Sequence, residues 1–133
     1  MKKRNIIIVC IVVFVLIVIV SGMYLIFKDK SGSEVYDLNK DIERVYLISG
    51  STGNSVLLEQ SQKDELLEQW NNVRLKRKLI NEQYSGWLYR IQIYQDGSCI
   101  NITFSGNRCD VNGTEYSIKN NIDELIHICD SYF

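Results

Sequence analysis

The side chains that can act as nucleophiles, acids, bases or soft metal ligands are few: four cysteines and one histidine among 16 acidic groups. Cys10 lies in the first apolar run, where no small residue precedes it as in a lipid-attachment site. Beyond that run stand Cys99, Cys109 and Cys129, and an odd number of thiols is not a disulfide framework. Their spacings do not match zinc sites, and His127 has no second histidine to join it. His127 and Asp130 stand at i, i+3 and can do acid–base work. No nucleophile signature accompanies them, so an exposed helix pair is expected. Ser49-Gly50-Ser51-Thr52-Gly53-Asn54 is loop-like, but it lacks the Lys-Ser/Thr ending of a phosphate-binding loop and precedes a strand, not a helix. The expectation is a protein without catalysis, metal or cofactor.

Two groups remain that can make contacts. Arg74, Lys76, Arg77 and Lys78 form the basic cluster outside the membrane flanks. Lysine on an edge strand resists edge-to-edge pairing, and the same charges can meet an anionic polymer, a lipid head group or an acidic partner. Arg90, Gln92 and Tyr94 recur every second residue with Asn101 and Thr103 across from them, which is interface-like chemistry on one sheet face.

The elements that carry these residues follow from periodicity and turns. Asp96-Gly97 fits a two-residue hairpin turn. It pairs Ile93 with Ile100, Ile91 with Ile102 and Tyr89 with Phe104. The other face then pairs Tyr94 with Cys99, Gln92 with Asn101 and Arg90 with Thr103. A slip of one residue would send every apolar group to solvent. Gly106-Asn107 makes the next turn, with Cys109 opposite Phe104 and Val111 opposite Ile102. Asn112-Gly113 makes the third and brings Tyr116 opposite Cys109. The inner face therefore holds Trp87, Tyr89, Ile91, Ile93, Ile100, Ile102, Phe104, Cys109, Val111, Tyr116 and Ile118.

Upstream, residues 42–48 and 55–59 read as two strands around the Ser/Gly turn. Ser61, with Asp64 three residues on, is expected to cap a helix whose buried stripe is Leu66, Leu67, Trp70 and Val73. Residues 74–80 alternate as a basic strand. Asn121 with Glu124 opens a last helix, with Ile122, Leu125, Ile126, Cys129 and Phe133 as its apolar stripe. The fold class is α+β: an antiparallel sheet, built as a meander, with two α-helices packed on one face. Cys109 on the inner face and Cys129 on the covering helix point into one core. They can form a disulfide or remain two buried thiols.

Residues 6–27 contain no charge and no polar stripe. As a helix they would span about 33 Å, at ~1.5 Å per residue, against ~30 Å of hydrocarbon. The expected parts are a cytoplasmic N-terminus at 1–5, a transmembrane helix at 6–27, a stalk at 28–40 and an extracytoplasmic domain at 41–133. Lys2, Lys3 and Arg4 give +3 before the run, and Lys28, Asp29 and Lys30 give +1 after it. That bias places the N-terminus inside and the domain outside. A cleaved signal peptide has a shorter apolar region before small residues. Here Val20-Ser21-Gly22 is followed by more apolar chain, so an uncleaved signal-anchor is expected.

The overall charge of −1 conceals a contrast, because from Ser31 onward 10 basic groups face 15 acidic ones, a net −5. An acidic domain is a poor match to nucleic acid, which selects a basic footprint. The chain has no proline and no alanine, a bias associated with AT-rich bacterial genomes.

The pattern GWLYRIQIYQDGSCINITF, followed by VNGTEYSI and a terminal helix, resembles small extracytoplasmic domains of Gram-positive bacteria tethered by an N-terminal helix or a lipid. That resemblance brings no catalytic residues to carry over. The function expected is a non-catalytic binding or accessory module of the bacterial cell envelope. It would hold lipid through residues 6–27 and a protein or envelope-polymer partner through its domain. The alternative is a regulatory or immunity-type membrane protein that acts by pairing its helix with another. The span lacks the small-residue motifs that favour such pairing.

Overall fold

The computed structural model describes residues 2–37, 40–80 and 86–133. Lys2–Phe27 forms helix α1, none of whose residues is buried. Its 26 residues would run about 39 Å, so it is long and apolar enough to cross a membrane. A helix that is apolar all round finds its low-energy surroundings in lipid or a protein interior, and among the described residues no part of this chain covers it.

The remaining elements are β1 (Lys30–Ser31), a single 3₁₀ turn (Gly32–Val35), β2 (Ile42–Ser49), β3 (Ser55–Leu57), α2 (Gln60–Asn71), β4 (Arg74–Arg77), β5 (Tyr89–Gln95), β6 (Ser98–Ser105), β7 (Arg108–Val111), β8 (Thr114–Ile118) and α3 (Ile122–Ser131). The strands form one sheet in the order β1-β4-β8-β7-β6-β5-β2-β3. Every neighbouring pair is antiparallel. The fold is α+β, with α2 and α3 on one face.

The three turns set the register expected from them. Tyr89, Ile91 and Ile93 pair with Phe104, Ile102 and Ile100; Cys109 and Val111 oppose Phe104 and Ile102; Tyr116 opposes Cys109. Asp96 and Gly97 have φ of 46° and 76°, and Asn112 and Gly113 have 49° and 92°. Those left-handed pairs define type I′ turns, whose twist matches that of the strands they join. Ile91, Ile93, Ile102, Phe104 and Cys109 are fully buried, together with Leu66, Trp70, Leu125 and Cys129 from the helices.

Trp87 departs from the inner face. It precedes β5, after Gly86 at φ 83°, and a bend at Leu88 breaks the alternation. The ring is half-buried and its stacking partner is Arg90, an outer-face residue.

The cap of helix α2 lies two residues before the expected one. Glu59 occupies the cap position, and its N–H donates to Gln62 Oε1 at 3.0 Å. Asn121 does precede α3, but it is left-handed and makes no side-chain cap bond. Its amide instead donates to the Gln69 carbonyl at 3.0 Å, tying α3 to the end of α2. Ile128 is buried on α3, while Phe133 is half exposed and stacks on Tyr89 at 5.9 Å.

Part of the expected stalk is built into the domain. Lys30 and Ser31 pair with Leu75 and Arg74. Gly32 is buried because its carbonyl accepts the Trp70 indole N–H at 2.8 Å. A Cβ at Gly32 would lie 1.9 Å from the Trp70 carbonyl oxygen, so only glycine fits. Tyr36 enters the core and donates to Asn71 Oδ1 at 2.6 Å. Gln95, 3% exposed, clamps the chain on the way to β2. It accepts from the Asp37 N–H at 3.1 Å and donates to the Asp37 and Lys40 carbonyls at 2.6 and 3.2 Å. Residues 38 and 39 of the expected stalk lie outside the described residues. Only Lys28 and Asp29 separate α1 from β1.

Candidate functional site: the uncovered face of the sheet

Because side chains alternate along a strand, residues between the core positions of β2, β5 and β6 point away from both helices. Register places them in rows. Arg44 lies opposite Tyr94, Tyr46 opposite Gln92 and Ile48 opposite Arg90. The next strand continues these rows with Cys99, Asn101 and Thr103.

Contacts within and between the rows hold them in place. The Arg44 guanidinium sits 4.5 Å from the Tyr94 ring centroid and 5.9 Å from that of Tyr46. Tyr46 meets Tyr94 edge-on at 5.8 Å and 77°. Gln92 Nε2 donates to Asn101 Oδ1 at 3.0 Å. The Asn101 N–H donates in turn to Asn112 Oδ1 at 2.9 Å, which ties the row to the third turn. Arg90 Nε donates to Thr103 Oγ1 at 3.0 Å, with its guanidinium 4.7 Å from the Trp87 ring centroid. Trp87 itself rests on Gly50, where a Cβ would meet the Trp87 carbonyl oxygen at 1.9 Å. Tyr94 shares a side-chain hydrogen bond with Cys99, and that bond to the thiol raises its pKa.

Rings and guanidinium groups fixed in this way lose little rotamer freedom when a ligand binds. The guanidinium fork matches carboxylates, the rings supply flat apolar area and the paired amides offer both donors and acceptors. The row of Arg90 and Thr103 continues across β7 and β8 as Asp110 and Glu115. Like charges directly opposite one another destabilise a sheet. Lys78 offsets this pair, with its Nζ 3.4 Å from Glu115 Oε1, and Asp110 accepts from the Gly113 N–H at 2.8 Å.

Of the contact residues expected from sequence, Arg90, Gln92 and Tyr94 come together on this face. The basic cluster does not join them. Arg74, Lys76 and Arg77 are exposed on β4, four strand spacings from β5 in the sheet order, or about 19 Å at ~4.8 Å per spacing. Lys78 belongs with Glu115. The strand also stops short of residue 80: its last register pair is Arg77–Tyr116, with one further bond from the Lys78 N–H to the Glu115 carbonyl at 3.0 Å.

Cys109 and Cys129 are both buried in the core and stand as free thiols in this structure. Desolvation by burial, the larger effect, and the neighbouring carboxylate of Asp130 push the Cys129 thiol up to about 12. The Cys109 thiol is raised by the same burial, with Asp110 adding to it. Asp130 turns to Tyr89, whose hydroxyl donates to it, and His127 is exposed. Among the described residues no group of three or more His, Cys, Asp or Glu side chains converges on a metal-sized site.

Arg44, Tyr46 and the stacked Trp87 are the members of this face that sequence reasoning missed. The alternation Arg44-Val45-Tyr46-Leu47 was readable. What it lacked was the long-range pairing of β2 with β5, which no turn announces.

No family model and no curated protein matches this chain. A solved structure described as a "putative lipoprotein" from Clostridium perfringens is similar at 16% identity and a TM-score of 0.48, over 76% of this chain and 93% of that one.

Proposed function

We propose that this chain is a single-pass, non-catalytic binding module of the bacterial cell envelope, with its N-terminus cytoplasmic and its domain outside. The observation that carries the reading is the outer face of β2, β5 and β6: an ordered array of rings, guanidinium groups and amides that neither α2 nor α3 covers. A sheet face kept soluble needs only scattered polar groups. This one concentrates Arg44, Tyr46, Trp87, Arg90 and Tyr94, types enriched where proteins make contacts. The partner is a protein or envelope polymer that offers carboxylates and flat surfaces. The charge bias of Lys2, Lys3 and Arg4 against Lys28, Asp29 and Lys30 supports the orientation, and the acidic domain argues against nucleic acid.

Crosslinking capture from intact membranes tests this reading in two arms. Replacing residues 6–27 by an unrelated anchor is expected to leave capture intact. Changing Arg44, Arg90 and Tyr94 together to alanine is expected to abolish it. The reverse pattern would instead favour a regulatory protein that acts through helix pairing.

A further inference from the structure

The short connection between α1 and the sheet confines one edge of the domain. With Lys28 and Asp29 alone between the helix and β1, the start of β1 must lie within about 10 Å of the end of α1, and β4 pairs directly beside it. A groove of about 590 Å³ runs between the two. One wall is Met23 and Phe27 from the last turns of α1, and the other carries Leu79 and Ile80. Leu79 and Ile80 are 79% and 76% exposed, although they adjoin a strand whose own Leu75 is fully buried. Lys76, Arg77 and Lys119 line the same groove.

An apolar floor continuous with a membrane-length helix, rimmed by lysine and arginine, has the layered polarity of a lipid leaflet. Hydrocarbon lies on one side of that boundary and phosphate on the other. Among the described residues no acid lines this groove; the buried Glu115 is engaged by Lys78.

We infer that the β1–β4 edge seats on the leaflet from which α1 emerges, with Leu79 and Ile80 dipping among the acyl chains and Lys76, Arg77 and Lys119 holding the phosphates of anionic phospholipids. The inference rests on α1 being a membrane anchor. It adds that the domain is docked in a fixed pose and does not swing on its tether. In that pose the sheet stands with β4 at the lipid and β2 and β3 farthest from it, so the aromatic–arginine face is presented sideways, clear of the head groups. This gives the basic cluster a role apart from partner capture.

The test uses the full chain in vesicles of phosphatidylcholine with brominated acyl chains, with and without phosphatidylglycerol. A fluorophore is placed through Leu79→Cys or, as a control in the far β2–β3 turn, Asn54→Cys, in a background where Cys10 and Cys99 are serine. Retention on the vesicles after an alkaline wash reports the anchor separately. The expected result is quenching at position 79 that strengthens with phosphatidylglycerol, and none at position 54. Changing Lys76, Arg77 and Lys119 together to glutamine should lower the docking constant about a hundredfold, at about fivefold per charge. Retained protein with no quenching at position 79, or quenching indifferent to phosphatidylglycerol, overturns the inference and leaves the anchor standing. Protein lost in the wash overturns both.

Discussion

The two faces of the strands β5 and β6 are made by alternate residues of the same hairpin, yet they solve different problems. On the inner face Ile91, Ile93, Ile102 and Phe104 are fully buried against α2 and α3. There, shape and apolar area set the energy. On the outer face Arg90, Gln92, Tyr94, Asn101 and Thr103 are half-buried, and what covers them is one another. Such cross-strand pairs contribute ~0.2–1 kcal/mol each, far less than a buried ring. The inner face therefore makes the fold, while the outer face is free to be selected for what it touches.

Neighbouring positions on β6 give the sharpest break of that comparison. Phe104→Ala should cost ~3–5 kcal/mol, read as a lower denaturant midpoint in detergent, whereas Thr103→Ala should stay below ~1 kcal/mol. Equal losses would mean the faces are not energetically distinct. Gln95 is the polar exception on the inner side, and Gln95→Leu should cost ~1–3 kcal/mol by breaking its bonds to the Asp37 and Lys40 backbone. The measurement is the same midpoint, with faster proteolysis near residue 37.

The two core thiols predict a pH dependence of the inner face that sets in below the range where tyrosines titrate, near ~10. Burial raises both in the folded chain, whereas unfolded thiols titrate near ~8.5. Between those values the unfolded state binds fewer protons, so stability falls as pH rises. It should be flat through neutral pH and decline between about pH 8.5 and 10 by roughly 1.6 kcal/mol for each thiol, or about 3 kcal/mol for the two. Cys129→Val should remove part of the decline. Alkylation of the native chain at neutral pH should spare Cys109 and Cys129. The effect on the outer face is again small: Arg44→Ala should cost ~0.5–1 kcal/mol, the range of an exposed cation–π contact.

The same contrast separates the parts of the fold that are legible in the sequence from those that are not. Register in the meander follows from three short turns, because Asp96-Gly97, Gly106-Asn107 and Asn112-Gly113 are local and tolerate few backbone solutions. Half of the outer face, Arg90 with Gln92 and Tyr94, comes with that register. Its other half depends on β2 lying beside β5, a pairing of distant segments that alternation alone cannot locate. Alternation also assigns Trp87 to the wrong side, because a bend at Leu88 reverses it and a bend leaves no trace in a binary pattern. Gly32 and Tyr36 read as stalk for a related reason: their partners at the end of α2, the Trp70 indole and the Asn71 side chain, sit 38 and 35 residues away.

On the proposed reading, the outer face of β2, β5 and β6 is where this protein meets its partner. The most direct test is a photo-crosslinking residue, p-benzoylphenylalanine, introduced in living cells at Tyr94 and, separately, at Glu124 on the exposed side of α3. A discrete adduct is expected from position 94 and none from position 124. An adduct at position 124 with none at position 94 would contradict it.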